Sequence, residues 1–236
     1  ILTVLADPTT ALEAFLNLTP EHERTDTAWY DEVQASVSYR PSEWEALSMG
    51  QKGPLHPVQV GRGAADSLRG DAAVFISDGG EYGQWAQSCL TASNRVINGP
   101  SGSIGSAIPF AMAARLVFPN APVMTFLGDG TMGFHLMEFD TAVRYNLPFI
   151  AVVGNDATWN AEFQIQLRDY GSDRLVGCEL RPTRYDEVVK ALGGYGEHVS
   201  TPEQLGPALE RARDSGLPAC IDVSIQRVPS PVIRRG

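Results

Sequence analysis

The strongest constraint on the fold is an alternation of short apolar segments with longer segments that have helical spacing. The apolar segments AAVFIS, VMTFLG, FIAVVGN and ACIDVSI occupy residues 72–77, 123–128, 149–155 and 219–225. Their length and aliphatic content are typical of buried strands. Strands that alternate with helices in this way form parallel sheets covered by helices on both faces. We therefore expect an α/β fold, a doubly wound and mostly parallel sheet.

Five segments between and after these strands are predicted to be helices. They are residues 81–90, 103–118, 133–145, 184–194 and 202–216. A short strand is expected near His198. Within the third helix, the spacing places Phe134, Met137 and Ala142 in the core and leaves His135 and Glu138 at its edge, so neither polar residue is assigned a catalytic role.

The N-terminal part is predicted to lie outside this domain. Residues 1–7 are predicted to form a buried strand and residues 9–18 a helix, so residues 1–19 resemble one βα unit of another domain. Residues 20–55 are rich in charge, include a predicted helix around Trp29 and Val33, and are interpreted as a linker. The main domain is predicted over residues 56–228, with a tail at 229–236. Because the sequence opens at Ile1 and not at Met, we expect a fragment of a longer product.

The charge balance limits the classes of ligand. Lys and Arg number 18 against 28 Asp and Glu, a net charge of −10, and no basic run is present, so a nucleic-acid partner is not expected. Any phosphate site therefore needs local main-chain donors, a metal ion or a few placed arginines. The three cysteines fit neither a disulfide framework nor a metal motif and are interpreted as reduced thiols. With no long apolar run or leader, we expect a cytoplasmic protein without a membrane span.

Two loops that follow predicted strands carry carboxylates. Gly128-Asp129-Gly130-Thr131 follows one strand, and Asp156 follows the next, 27 residues after Asp129. Glycines let main-chain amides approach an anion, and carboxylates are hard ligands for Mg²⁺. Adjacent parallel strands would bring both aspartates together against a diphosphate, although Gly-Asp-Gly alone is more often a tight turn with an Asx hydrogen bond.

The combination of Gly-Asp-Gly, an intervening helix and Asn155-Asp156 resembles the cofactor motif of thiamine diphosphate (ThDP)-dependent enzymes. The resemblance implies that Asp129, Asp156 and the main-chain carbonyl of Thr158 bind Mg²⁺. Asp156 stands where many members of the family have Asn. It therefore adds a negative charge beside the diphosphate.

The same resemblance assigns contacts with the cofactor itself. Ile104 would lie under the cofactor and bend it, and the Gly102 carbonyl would accept a hydrogen bond from its aminopyrimidine. Alternatively, Ile104 is ordinary core, and the spaced glycines 99–105 superficially suggest a dinucleotide site, although their pattern and position do not fit one. The full set of expected cofactor contacts is Gly80, Glu81, Tyr82, Gly102, Ser103, Ile104, Gly128, Asp129, Gly130, Thr131, Asp156, Thr158, Asn160 and Ala161.

The resemblance is to the acetolactate synthase superfamily. It implies that residues 1–18 are the last βα unit of a middle α/β domain and that residues 56–228 are the C-terminal domain that binds the diphosphate of ThDP. The stretches at 53–57, 138–148, 171–177 and 218–223 are most similar to the branch of 2-hydroxyacyl-CoA lyase, oxalyl-CoA decarboxylase and benzaldehyde lyase. It implies cleavage of a 2-hydroxyacyl-CoA to a carbonyl compound and formyl-CoA, or the reverse. Oxalyl-CoA decarboxylase, benzaldehyde lyase, acetolactate synthase and a non-catalytic phosphate-binding subunit remain alternatives.

The implied partners are an acyl-CoA substrate, a second copy or copies of the enzyme as homodimer or homotetramer, and an N-terminal pyrimidine-binding half. That half would carry the activating glutamate of the family, since no residue here matches its context. Glu162 is the candidate catalytic residue, because a carboxylate beside the cofactor could shuttle a proton, although a solvated helix glutamate fits equally well. Arg234 and Arg235 could meet a CoA phosphate or belong to a disordered basic terminus.

Overall fold

The computed structural model describes residues 3–18, 27–46, 53–98 and 102–233. Their contacts divide the chain into two compact units, Ser42–Val232 and a smaller one made of Ile1–Pro41 with Ile233–Gly236. None of the described helices is both long and apolar enough to cross a bilayer. The three cysteines are free thiols, as expected.

The smaller unit contains helices α1 (Pro8–Leu18) and α2 (Thr27–Ser38), which match the helices predicted there. The predicted strand over residues 1–7 is wrong for residues 3–7, which are irregular, with Val4 and Leu5 exposed. A strand needs a neighbour to pair its amides and carbonyls, and residues 3–7 have none among the described residues. Residues 1–2 lie outside the described ranges.

The larger unit is built on six strands, which are β1 Val74–Ser77, β2 Asn94–Ile97, β3 Val123–Gly128, β4 Ile150–Asn155, β5 Tyr195–Val199 and β6 Ala219–Ser224. They form one sheet in the order β2-β1-β3-β4-β6-β5, in which every neighbouring pair is parallel. This architecture confirms the predicted doubly wound α/β fold. Strand β2 was not predicted, because at the sheet edge its residues alternate between half-buried and exposed and include Asn94 and Arg95.

Helices cover both faces of the sheet, because successive strand residues point to opposite sides. The helices of this unit are α3 Glu43–Ala46, α4 Pro57–Ala64, α5 Gly80–Cys89, α6 Ala107–Val117, α7 Asp129–His135, α8 Glu138–Arg144, α9 Asn160–Tyr170, α10 Tyr185–Ala191 and α11 Pro202–Asp214. Phe75 contributes to the core under α4, α5 and α11, whereas Val74 and Ile76 contribute to the core under α6, α8 and α10.

Two of the predicted helices differ from the observed ones. The helix predicted over residues 133–145 is two short helices, α7 and α8, which are separated by a turn at 136–137, and α7 already begins at Asp129. Ala142 is buried as predicted, but Phe134 and Met137 are exposed. The helix predicted from residue 103 begins only at Ala107, because Gly105 adopts a left-handed φ of +93°.

Candidate active site

The carboxyl ends of β1, β3 and β4 open into one cleft. Strand pairing aligns Gly128 with Gly154, so the loops that carry Asp129 and Asp156 are neighbours, as the sequence predicts. Among the predicted site residues, only Gly102 and Ser103 lie outside the cleft lining. The lining consists of Gly79, Gly80, Glu81, Tyr82, Ile104, Gly128, Asp129, Gly130, Thr131, Gly154, Asp156, Thr158, Trp159, Asn160, Ala161 and Glu162.

Asp129 is the most unusual group in this cleft. Its side chain is buried, and Oδ1 accepts a hydrogen bond of 2.9 Å from the Gly130 amide. Oδ2 is buried without a hydrogen-bond partner among the described residues. Burial raises the pKa of Asp129 to about 6 against the opposing effect of nearby main-chain amides. A buried carboxylate oxygen without a donor is costly, so this position fits a cation.

Asp156 adds a second carboxylate to the same place. Burial, and next the charge of Asp129, raise the pKa of Asp156 to about 7, while Arg227 opposes the shift. The charge of Asp129 hinders the ionisation of Asp156, so the site has too little compensating positive charge. Hard oxygen donors of this kind suit Mg²⁺, which carries the charge that the pair lacks. The residues present therefore fit a divalent cation.

The loop of Asp156, Ala157 and Thr158 is held from several sides. Ala157 has a left-handed φ of 55°, which is uncommon for a residue other than glycine. The Thr158 hydroxyl donates to the Asp156 carbonyl at 3.1 Å, and the Ala157 carbonyl accepts from the Leu180 amide at 2.8 Å. The loop thus keeps a strained conformation that directs consecutive residues toward the cleft.

Helices α5 and α9 begin at the cleft. Their N-cap residues, Gly79 and Trp159, contribute no side-chain cap, so first-turn amides remain free of such a partner. Amides at a helix N-terminus attract anions such as phosphate. The main chain of both helices is therefore suited to a diphosphate.

Gly154 and Gly130 permit close approach of aromatic rings at the cleft. A Cβ atom on Gly154 would lie 2.6 Å from the ring of Tyr82, and one on Gly130 would lie 2.6 Å from the ring of Trp159. Tyr82 is buried, so its ring cannot move aside easily. Gly154 and Trp159 were not among the predicted site residues, although they directly flank the segment 155–158.

Two predicted cofactor ligands use their side chains elsewhere. The carboxylate of Glu81 accepts a hydrogen bond from the Ser230 amide, and the amide of Asn160 donates to the Val228 carbonyl at 2.9 Å. Trp85 binds the same segment through the Pro229 carbonyl at 2.8 Å. A carboxylate would repel phosphate, so the structure favours main-chain roles for Glu81 and Asn160. Arg234 and Arg235 lie outside the described residues.

Asp78 organises the first loop and was not predicted as a functional residue. It is buried, and its carboxylate accepts hydrogen bonds from the amides of Gly79, Gly105 and Ala107 at 2.8–3.1 Å. These bonds join the end of β1 to the loop that presents Ile104. A carboxylate directly after a buried strand was the available signal, but two of its partners lie 27 and 29 residues away.

The remaining candidates differ in exposure. Glu162 lies in the first turn of α9 at the rim of the cleft and is exposed. Ile104 is 37% exposed and projects into the cleft, so it is not an ordinary core residue. His135, to which no catalytic role was assigned, contacts the Gly105 carbonyl through Nδ1 at 2.6 Å. It thereby supports the loop that presents Ile104.

Comparison with known proteins agrees with this geometry. Residues 78–223 match the model of the family "Thiamine pyrophosphate enzyme, C-terminal TPP binding domain". An acetolactate synthase large subunit of Mycobacterium tuberculosis is 41% identical over 199 residues, which cover 83% of this chain and 36% of that protein. A 2-hydroxyacyl-CoA lyase 2 of Caenorhabditis elegans is 33% identical over 226 residues, 93% of this chain and 34% of that protein.

A sulfoacetaldehyde acetyltransferase of Alcaligenes xylosoxydans is 35% identical over 68% of this chain and 27% of its own length. Among solved structures, a thiamine diphosphate-dependent 4-hydroxybenzoylformate decarboxylase of Rhodococcus jostii RHA1 has a TM-score of 0.68 at 20% identity. The match covers 76% of this chain and 34% of that one, and at this identity it supports the fold alone. The chain therefore spans about a third of the length of these relatives.

Proposed function

We propose that the cleft holds the diphosphate of ThDP through Mg²⁺, because this chain belongs to the thiamine pyrophosphate enzymes through their C-terminal TPP binding domain. Asp129, Asp156 and the carbonyl of Thr158 would bind the metal ion. The observation that carries this proposal is the buried, unpartnered Oδ2 of Asp129 beside a second carboxylate. A cation there would compensate both charges and attract the diphosphate.

The other residues of the cleft would bind the cofactor in distinct ways. The first-turn amides of α5 and α9 would donate hydrogen bonds to phosphate oxygens. The Ile104 side chain would contact the ring system, and the loop at Gly102 would face its pyrimidine. The bound cofactor supplies an electron sink for the cleavage or formation of a carbon–carbon bond beside a carbonyl group.

Glu162 is the proposed proton-handling residue of this chain. Its position in the first turn of α9, at the rim of the cleft, would let its carboxylate reach a substrate hydroxyl. Exposure in this chain is compatible with that role if the rest of the enzyme covers the rim. Glu162→Gln should then lower kcat more than it changes the affinity for ThDP.

The proposed reaction is that of a 2-hydroxyacyl-CoA lyase, which cleaves a 2-hydroxyacyl-CoA to a carbonyl compound and formyl-CoA, or joins them. Two lines support it: the stretches at 53–57, 138–148, 171–177 and 218–223, and relatives named 2-hydroxyacyl-CoA lyase 2 from nematode to human at 31–37% identity. Acyl-CoA would be the substrate class, and the cytoplasm the location.

Acetolactate synthase is the second candidate, because the relatives of that name have the higher identity of 41%. Product analysis separates the two. Formyl-CoA with a carbonyl compound, released from a 2-hydroxyacyl-CoA in the presence of ThDP and Mg²⁺, supports the lyase. Acetolactate formed from pyruvate, without formyl-CoA from any 2-hydroxyacyl-CoA, would reject the lyase in favour of the second candidate.

The proposed partners follow from the share of the relatives that this chain covers. The complete enzyme would add a pyrimidine-binding part with the activating glutamate and would assemble as a homodimer or homotetramer. Activity and cofactor retention should therefore be measured on the complete enzyme. If the complete enzyme does not bind ThDP at millimolar concentration with Mg²⁺, the proposal is wrong.

A further inference from the structure

A second group of buried carboxylates lies at the carboxyl ends of β5 and β6, next to the metal-binding loop. Asp222 on β6 and Asp186 on α10 are fully buried, and His198 on β5 stands opposite Asp222 in the strand register. One potential ligand atom from each of these three residues lies within 4.8 Å of the others. By composition alone, this group resembles a cation site.

The contacts of this group argue against a cation. Arg184 donates two hydrogen bonds to Asp186, at 2.7 and 2.8 Å, which neutralise it. Asp222 Oδ1 accepts from the Asn155 side-chain amide at 3.0 Å, and Oδ2 faces His198 Nδ1 at 3.2 Å. The two carboxylates therefore already have donors, and a metal ion would have to displace them.

The contacts of Asp222 continue in two directions and form a chain of hydrogen bonds. On one side, His198 Nε2 lies 3.3 Å from the Ser224 hydroxyl. On the other side, the Asn155 side chain accepts from the Ala157 amide at 3.3 Å and donates to the Thr183 carbonyl at 2.9 Å. If His198 is protonated on Nδ1, every donor in the chain meets an acceptor.

We propose that this relay, defined as Ser224, His198, Asp222 and Asn155, positions the metal-binding loop, and that Asp222 and His198 act as positioning residues for Mg²⁺. The proposal rests on the metal role of the loop proposed above. The relay ends on the amide of Ala157, which lies between Asp156 and Thr158 in the sequence.

The conformation of Ala157 explains why the loop needs such support. A left-handed φ at a residue other than glycine costs about 1 kcal/mol or more, so the surrounding contacts must maintain it. The Asn155 side chain can maintain this conformation only while the orientation of its amide is fixed, because Oδ1 accepts from the Ala157 amide and Nδ2 donates to Asp222. Asp222 and the Thr183 carbonyl together fix that orientation, since both accept only from the nitrogen end of the Asn155 amide.

The substitution Asp222→Ala tests the proposal, with Glu197→Gln as the matched control. Glu197 lies beside His198 on β5 but binds Arg211 and Tyr195, outside the relay. The first measurement is amide hydrogen exchange of residues 155–160 in the metal-free protein. We expect Asp222→Ala to accelerate this exchange at least about tenfold, while the control leaves it unchanged.

The second measurement is the affinity of the complete enzyme for Mg²⁺ at a fixed ThDP concentration. Residues that orient metal ligands change metal affinity by about 10–100-fold when they are replaced, and we expect a weakening in that range for Asp222→Ala. Asp222→Asn should have a smaller effect. If the His198 proton moves from Nδ1 to Nε2, the introduced side-chain amide can donate to Nδ1 of His198 and still accept from Asn155.

The outcomes separate this inference from the proposed function. If wild type binds Mg²⁺ and ThDP while Asp222→Ala binds them equally well and exchanges at the wild-type rate, the relay has no positioning role. If wild type does not bind ThDP, the proposed function fails, and the exchange rate still decides whether the relay holds the loop. A loss of thermal stability in Asp222→Ala without faster exchange at 155–160 would contradict the inference.

Discussion

Two pairs of aspartates lie near the carboxyl ends of the strands, and their surroundings differ. Beyond β3 and β4, Asp129 is buried, Asp156 is half-buried, and Oδ2 of Asp129 has no hydrogen-bond partner among the described residues. Asp186 and Asp222, near β5 and β6, are paired with Arg184, His198 and Asn155. Residue type and burial alone therefore do not distinguish a ligand site from a structural network. The availability of donors within the protein distinguishes them.

The pKa values reflect this difference at one of the four aspartates, Asp186. Burial raises the pKa of Asp129 to about 6 and that of Asp156 to about 7. Burial also acts on Asp186, but the hydrogen bonds and charge of Arg184 outweigh it and hold the pKa of Asp186 below its usual value. Burial also raises the pKa of Asp222, although Asn155 and His198 oppose this shift. The pKa values therefore separate Asp186, but not Asp222, from the first pair. Three substitutions test this comparison.

The largest effect is expected from Asp129→Ala. It removes the carboxylate with the unpartnered oxygen, so the apparent affinity for ThDP in the presence of Mg²⁺ should fall by more than about 100-fold. Equilibrium binding measured by quenching of tryptophan fluorescence reports the change. Glu187→Gln, on exposed α10 surface, serves as the control and should bind normally. Retention of ThDP at wild-type affinity by Asp129→Ala would refute the metal assignment.

A smaller effect is expected from Arg184→Met, which leaves Asp186 buried without its main partner. Because Arg184 itself is half-exposed, we expect a loss of about 1–3 kcal/mol in the free energy of unfolding at pH 7. The pKa of Asp186 is lower in the folded protein than in the unfolded chain. The stabilisation by Arg184 is therefore present at pH values above the unfolded pKa near 4 and disappears as the pH falls below that value. Urea unfolding at pH 7 and pH 3 measures the difference. Equal losses at both pH values would contradict it.

The smallest effect is expected from Asp156→Asn in the metal-free protein. The folded pKa of Asp156 is raised, so its ionisation costs stability as pH rises from about 4 through 7. Removing that charge should stabilise the metal-free protein at pH 8 by about 1 kcal/mol, or roughly 2–4 °C in Tm. The gain should vanish at pH 4. Thermal unfolding that shows destabilisation at pH 8 would mean that Asp156 already has a compensating partner.

Much of the fold could be predicted because buried parallel strands are recognisable as apolar runs. Strand β2 escaped recognition, since an edge strand with Asn94 and Arg95 lacks that run. The helix predicted over 133–145 is interrupted at 136–137, and its first part begins at Asp129, four residues before the predicted start. Local patterns indicate which segments are strands and helices better than they indicate where each one ends.

The site could be predicted where it depends on residues within one loop. The motif at 128–131 and at 155–158 places the carboxylates on adjacent strands, and the structure brings them into one cleft. The partner of Glu81 could not be foreseen, because Ser230 lies 149 residues away. The same holds for the contact between Asn155 and Asp222, which are 67 residues apart. Long-range hydrogen bonds leave no local signal in the sequence.

The central claim is that the aspartate pair at β3 and β4 needs a divalent cation to bind a diphosphate. Calorimetric titration of ThDP into the complete metal-depleted enzyme, with and without Mg²⁺, tests it most directly. We predict saturable binding of one ThDP per chain with Mg²⁺, and binding weakened at least about 100-fold with chelator. Equal ThDP affinity with and without a divalent cation would contradict the claim.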